Sequence, residues 1–314
     1  MSVADLDGRR VLVTGGSGFI GRHVVAELTA GGAQVRVVDL QPHPDPAVDV
    51  VIGDIADPAV LGEALRGGFD SIVHLAAVTS VLRSLQQPEL TYRTNVAATA
   101  ALLGAGQAAG VTSLAFASTN AVTGPMEDGA GPITEASRLR PLTPYGSTKA
   151  AGEMLMSAYT ASYGLRCACI RLTNVYGPGM QAKDSIVARL MRAIRLGNTF
   201  EIYGDGTQVR DYVHVADVVA AMRLGLVSDA WAGPLVIGSG TSLSVLEVVD
   251  AVREVSGAEL DVRHGPAKAG EMPAVIVDPS RAHAVGWSPR FPSLRDGLVG
   301  VWQEWSTAEV KASA

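Results

Sequence analysis

The chain has 314 residues, 47% of them hydrophobic and 18% charged. That is too long for one small domain and suits one large α/β unit or two closely joined ones. The formal net charge of −6 offers no electrostatic footprint for nucleic acid or an anionic membrane. The only cysteines, Cys167 and Cys169, lie in the apolar run "CACIRL"; this argues against a disulfide framework or a structural zinc site and reads as buried strand thiols.

The opening "MSVADLDGRR" lacks a cationic segment followed by an apolar one, so no secretory leader is read and a cytoplasmic protein is expected. The first strand, "RVLVT" (10–14), runs into "GGSGFIG" (15–21) and a helix over 18–30. Gly16-x-Gly18-x-x-Gly21 fits a dinucleotide-binding turn, and Gly15-x-x-Gly18-x-x-Gly21 fits a relative of it. Glycines permit a tight turn and close backbone approach, while the helix N-terminus presents free N–H groups to a pyrophosphate. A tight strand–helix turn with no ligand would show the same glycines. Context favours the nucleotide: the second strand (33–39) ends in Asp39, 18 residues after Gly21. A carboxylate there accepts from an adenosine ribose and repels a 2′-phosphate, which favours NAD over NADP. After the third strand (48–54), Asp54 is placed either to meet the adenine or to cap a turn.

A helix over 58–66 and a strand over 70–76 follow, then a long helix over 90–109 and a strand over 113–118. The stretch "NVAATAALLGAGQAAGV" within this helix is too short to span a bilayer. A helix over 144–162 and the strand 166–172 complete a regular alternation. Such alternation predicts crossover connections and a Rossmann-type, doubly wound parallel sheet over 1–172. Beyond it the rhythm changes: a Gly/Pro-bearing loop (176–185), a helix (186–196), a short strand (200–203), the loop "GDGTQVRD" (204–211), and helices over 215–227, 243–256 and 293–305. These make a smaller C-terminal lobe over 173–314, with about 210–230 returning to the first unit.

Tyr145 and Lys149 stand four apart near the start of the 144–162 helix, hence on one face. A phenol titrates near 10 and is a poor base at neutrality; a neighbouring ammonium and a positive nicotinamide ring favour its phenolate. A solvated surface pair has the same spacing. The upstream nucleotide turn and the hydroxyl pair Ser118–Thr119 at a strand end favour chemistry, because strand ends of such a sheet face the ligand crevice.

Several segments in this order carry a resemblance: "TGGSGFIG" (14–21), "HLAAVTSVLRS" (74–84), "NVAATAALL" (95–103), "ASTNAVTG" (117–124), "YGSTKAAGE" (145–153), "RLTNVYGPG" (171–179), "YGDGTQVRDYVHVADVV" (203–219) and "GWSP" (286–289). Over nearly its whole length the chain resembles the extended short-chain dehydrogenases/reductases, in particular NAD-dependent nucleotide-sugar epimerases of the UDP-galactose 4-epimerase type. The resemblance implies that Tyr145 is the acid/base on the sugar hydroxyl, that Lys149 binds the nicotinamide ribose and tunes Tyr145, and that Thr119 bonds the reacting oxygen. It places Gly15, Gly18, Phe19, Ile20, Asp39, Leu40, Asp54, Ile55, Leu75, Ala76, Ala77, Asn95 and Ser118 along the NAD, with Tyr145 and Lys149. It places Ser80, Val81, Thr119, Asn174, Val187, Tyr203, Arg210, Lys268 and Glu271 along the substrate, a UDP-sugar by preference. Asn174 and Arg210 would hold its diphosphate; taken alone, they read as a turn residue and a surface ion pair with Asp211.

Departures from the family pattern matter as much. Thr123 stands where a tyrosine is common, and Lys268 in "KAGE" stands where an arginine is usual; a lysine supplies charge without a fork. Dehydratases of the superfamily carry Thr-Asp-Glu where this chain has Thr119-Asn120-Ala121, so the acidic pair for water elimination is missing. His74 and His214 read as structural, Arg83 and Lys183 as solvated loop charges or else as readers of an anionic group on the sugar, and no metal-ligand set is visible. Family members commonly dimerise through helices that correspond to 90–109 and 144–162, so a homodimer is expected.

Overall fold

The computed structural model describes residues 6–125, 131–267 and 274–307. The first unit runs β1 (Arg10–Thr14), α1 (Phe19–Ala30), β2 (Gln34–Asp39), β3 (Asp49–Ile52), α2 (Pro58–Ala64), β4 (Ser71–His74), α3 (Val81–Gln86), α4 (Pro88–Tyr92), α5 (Ala98–Ala108), β5 (Ser113–Thr119), α6 (Pro144–Tyr163) and β6 (Arg166–Leu172). There follow β7 (Asn174–Tyr176), α7 (Ile186–Leu196), β8 (Phe200–Tyr203), β9 (Val209–His214), α8 (Val215–Val227), β10 (Gly233–Ile237), β11 (Ser242–Ser244), α9 (Val245–Ser256), β12 (Val262–Gly265), α10 (Ser280–Ala284) and α11 (Leu294–Thr307).

The central sheet has seven parallel strands in the order β10-β6-β5-β4-β1-β2-β3. Its apolar strands are buried on both faces, as crossover helices require. Alternate residues divide between two cores: Val11 and Val13 pack with α1 and α8, whereas Leu12 packs with α2 and α5. Strand order reverses between β1 and β4, so the crevice for a ligand opens at the C-terminal ends of these strands. A third core, around Leu190, Val248 and Leu298, joins α7, α9 and α11 beside the small β11-β9-β7 and β12-β8 sheets.

The doubly wound sheet is as expected, with three differences of detail. The long helix predicted over 90–109 is interrupted by a wide π-helical turn at Arg93–Ala97, which turns Asn95 inward. The loop predicted over 204–211 ends in β9, because Val209 and Arg210 pair with Ser244 and Leu243. The returning portion extends past 230, since β10 supplies an edge strand beside β6. A short strand carries too little periodicity to announce its sheet.

α6 begins on the Thr143 side chain, which accepts from Gly146 N at 3.2 Å, has Pro144 in its first turn, and ends at left-handed Gly164. Two of its glycines permit close approach to β5 and the turn that follows it. A Cβ on Gly146 would lie 2.8 Å from Ala121 O, and one on Gly152 would lie 2.5 Å from the Phe116 ring. Alanine gains about 1 kcal/mol over glycine in a helix interior, but overpacking costs about 1–3 kcal/mol. Phe116 is fully buried and cannot swing away, so the packing cost outweighs the gain. Gly152→Ala is expected to lower the thermal midpoint; a raised midpoint would mean that α6 shifts freely on β5.

Candidate active site

The glycine turn leaves β1 at the switch point. Gly15 has φ +71°, and a Cβ there would lie 2.7 Å from Ala76 N. A Cβ on Gly21 would collide with Gly15 O, so the turn and α1 interlock backbone to backbone. No side chain caps α1, whose N-cap is Gly18, and its first amides remain available to an anion. Asp39 grips the turn from β2: its carboxylate accepts Ser17 N at 3.0 Å and Gln41 N at 3.1 Å. Leu40 is 63% exposed beside it. Phe19, Ile20, Leu75, Ala76 and Ala77 are half-buried, while Ile55 is buried. Asp54 accepts Ala56 N at 2.9 Å, the turn-capping arrangement.

His74 is structural. Thr99 donates its hydroxyl to Asn95 O at 2.8 Å and therefore accepts from His74 Nε2, 2.8 Å away. The proton sits on Nε2, and Nδ1 accepts from Thr14 Oγ1 at 2.7 Å. Burial, and then the positive charge of Lys149, push the imidazole down to about 3, so it stays neutral. The Asn95 side chain, expected along the cofactor, accepts Val78 N at 2.8 Å and donates to Val78 O and Thr148 Oγ1, each at 3.0 Å. It shapes the loop after β4 rather than presenting a free amide.

Thr119 closes β5. Tyr145, on the first turn of α6, hydrogen-bonds to it, and the threonine draws the phenol's pKa down. Burial dominates, however, and pushes Tyr145 up to about 12. Lys149 is 3% exposed, its Nζ 4.6 Å from the centre of the Phe116 ring, and no carboxylate pairs with it among the described residues. Burial pushes it down to about 7. The expected tuning of a phenolate by an ammonium is thus absent from the protein by itself, because desolvation penalises both charged forms. A buried ammonium with no carboxylate partner among the described residues fits a polar ligand such as the ribose of NAD.

Ser118 was expected along the cofactor. Neighbours on a strand point to opposite faces, and its hydroxyl donates to Glu153 Oε1 at 2.5 Å, away from Thr119. Glu153 in turn pairs with Arg171 at 2.8 Å, and both are buried. This pair was missed in the sequence; the signal available was Arg171 in the interior of the strand "RCACIRL", where every residue after the leading Arg166 is otherwise apolar.

On the substrate side, Asn174 stands opposite Tyr212, two residues after Arg210 on β9. The small sheet therefore brings Asn174 and Arg210 onto adjacent strands. Asn174 Nδ2 donates to Asp211 O at 2.9 Å, and Arg210 Nη1 to Val209 O at 2.8 Å. Tyr203 is half-buried with Arg189 above its ring. Ser80 caps α3 by accepting Arg83 N at 3.2 Å, and Val81 is 40% exposed. Val187, in the first turn of α7, has its side chain in the third core. Lys183 is half-buried, 5.7 Å from the Phe19 ring, rather than a solvated loop charge. Lys268 and Glu271 lie outside the described residues. Among those described there is no cluster able to hold a metal ion and no helix long and apolar enough to cross a membrane.

The sheet, the glycine turn and the Tyr–Lys pair define a dinucleotide-binding α/β enzyme of the short-chain dehydrogenase/reductase type. Residues 11–237 match the NAD dependent epimerase/dehydratase family, and the chain belongs to that family. It is 33% identical over 316 residues to a UDP-glucose 4-epimerase of Halalkalibacterium halodurans, covering 93% of this chain and 94% of that one. Among solved structures it is similar to the UDP-glucose 4-epimerase of Thermus thermophilus in complex with NAD, with a TM-score of 0.89, 34% identity, and 96% and 100% of the two chains covered. It is also similar to MoeE5 in complex with UDP-glucuronic acid and NAD, with a TM-score of 0.86, 38% identity, and 95% and 98% covered.

Lys149 makes the cofactor-free protein's stability depend on pH. Its pKa is about 7 when folded against an ordinary 10.5, so the unfolded chain binds the extra proton between these values. The cost is full below pH 7 and disappears as pH rises towards 10.5. Lys149→Met should therefore raise the melting temperature of the cofactor-free protein near pH 6.5, with an advantage that shrinks towards pH 9.5. Parallel melting curves across that range would show that the ammonium is not desolvated.

Proposed function

We propose that the protein is an NAD-dependent nucleotide-sugar 4-epimerase acting on a UDP-hexose or a derivative of one. The observation that carries this reading is the Tyr145–Thr119 hydrogen bond at the crevice end of β5 with Lys149 buried behind it. Tyr145 takes the proton of the sugar C4 hydroxyl, and Thr119 donates to the charged oxygen that forms. Lys149 holds ribose hydroxyls and, charged by those contacts, lowers the cost of the phenolate. Bound NAD supplies the hydride acceptor at C4 and the donor that restores it on the opposite face. Asn174 and Arg210 hold the diphosphate, whose anchoring lets the sugar turn while the nucleotide stays fixed; an arginine fork suits phosphate oxygens.

The neighbours of Thr119 favour epimerisation over dehydration. Asn120 Oδ1 accepts from Thr119 Oγ1 at 3.4 Å, and Ala121 carries no acid, so the acidic pair that dehydratases of the superfamily carry at these two positions for eliminating water is missing. We further propose division into an NAD-binding unit through residue 172 and a substrate lobe beyond it, a cytoplasmic setting, and a homodimer. The dimer is supported by exposed apolar residues on the helices the family uses and their neighbours: Leu82, Leu85, Tyr92, Met154 and Tyr163. Exposed apolar side chains concentrated on such helices are what a subunit interface would cover.

Tyr145→Phe is expected to reduce turnover by about 10²–10⁴-fold while NAD stays bound. NMR of UDP-glucose, UDP-N-acetylglucosamine and UDP-glucuronic acid incubated with the wild type should show epimers forming with no net NADH. Net NADH accumulation would indicate a dehydrogenase instead, and full activity in Tyr145→Phe would remove Tyr145 from the chemistry.

A further inference from the structure

Glu153 lies one helical turn beyond Lys149 and two beyond Tyr145, so all three share one face of α6. Its carboxylate accepts from three donors: Ser118 Oγ at 2.5 Å, Arg171 Nε at 3.0 Å and Arg171 Nη2 at 2.8 Å. The partners sit at 3% (Ser118), 3% (Arg171) and 7% (Glu153) exposure. Stability does not account for such a pair. Desolvating two charges costs as much as their attraction returns, and a well-packed apolar pair of the same volume is often equally stable or more so. What the pair does supply is register. The carboxylate fixes α6 against the β5 residue that immediately precedes Thr119.

Arg171 carries the connection further. Its Nη1 donates to the carbonyls of Thr134, at 3.3 Å, and Glu135, at 3.2 Å. The Glu135 carboxylate accepts Val236 N at 2.8 Å. Two residues earlier, Ile133 N donates to Ile276 O at 2.8 Å, and Ile133 O accepts Asp278 N at 2.9 Å. Val275 N then donates to Val209 O at 3.1 Å, and Val209 precedes Arg210. A contiguous set of bonds thus runs from the strand end that holds Thr119 to the strand that holds Arg210.

We propose that Glu153, held by Arg171, is a positioning residue: it sets the distance between Tyr145 and Thr119 and ties that distance to the backbone at 133–135 and, through it, to the substrate-side strand β9. The kinetic part of this proposal rests on the epimerase reading, and the structural part does not. Displacement of a reacting group by about 1 Å costs about 100-fold in rate, so small losses of register are visible in kcat.

The test uses the full-length protein with bound NAD and three variants: Ser118→Ala, Glu153→Gln and Arg171→Lys, the last keeping the charge but losing the fork. Expected for each folded variant are a fall in kcat of at least about tenfold, a KM for UDP-glucose within about threefold of wild type, and unchanged NAD content. The acid limb of the kcat–pH profile should move upward, because Tyr145 loses the hydroxyl that draws its pKa down. Amide hydrogen exchange should rise together over 144–150 and 131–137. Leu103→Ala, at a buried α5 residue that takes no part in these hydrogen bonds, serves as the control for simple destabilisation; at a temperature where it remains folded it should keep its kcat. A kcat within about twofold of wild type in the variants, or a loss matched by the control at equal melting temperature, overturns the proposal. If Glu153→Gln does not fold, Ser118→Ala, which removes a single hydroxyl, decides. If the wild type turns over no nucleotide sugar, the epimerase reading has failed, and the exchange data decide by themselves: protection at 131–137 that ignores the variants refutes the coupling.

Discussion

Helix α6 lies so close to strand β5 that an ammonium is buried between them, and most of the site follows from this. Lys149 sits over the Phe116 ring with 3% of its surface exposed. Gly146 and Gly152 allow that approach, since a Cβ on either would touch backbone or ring. Phe116 is held in turn by stacking on His74, with ring centres 5.6 Å apart, and His74 is fixed between two threonines. An uncompensated charge of this kind is costly in an empty crevice. In the reading proposed above, ligand hydroxyls would offset that cost.

The alternation of a β-strand divides labour between two adjacent hydroxyls. Thr119 faces Tyr145 and the crevice. Ser118, one residue earlier, faces the opposite way into the Glu153–Arg171 pair. One bonds to the phenol at the start of α6, and the other bonds to a carboxylate two turns further along the same helix. Asn95 has a similar supporting function, since its amide is spent on the loop after β4 and on Thr148.

The second lobe is assembled around a comparable buried group. Asp211 is fully buried and accepts from Thr173 Oγ1 at 2.8 Å, Ser239 N at 2.9 Å and Gly240 N at 2.8 Å. Burial raises its pKa, and these donors oppose the rise. The carboxylate draws the β6–β7 junction and the turn after β10 onto β9. This arrangement sets Asn174 and Arg210 on neighbouring strands, although 36 residues separate them in the chain.

What the sequence determined by itself is what short-range geometry dictates. A glycine turn between strand and helix, an acidic residue ending the next strand, and a tyrosine and lysine four apart on a helix each depend on a few consecutive residues and on helix or strand periodicity. They suffice for the fold and the cofactor class. Tertiary structure decided what depends on surroundings. The π-helical turn at Arg93–Ala97 and the edge strand β10 arise from packing, not from local pattern. Ser118, Asn95 and Val187 could not be assigned from type alone, because which face of an element is buried is set by distant partners: Glu153, Val78 and the third core. The ionisation of Tyr145 and Lys149 was read in the sequence as mutual attraction between opposite charges. In the folded chain, loss of water is the largest influence on each, and the amount of water lost depends on every element packed around the pair.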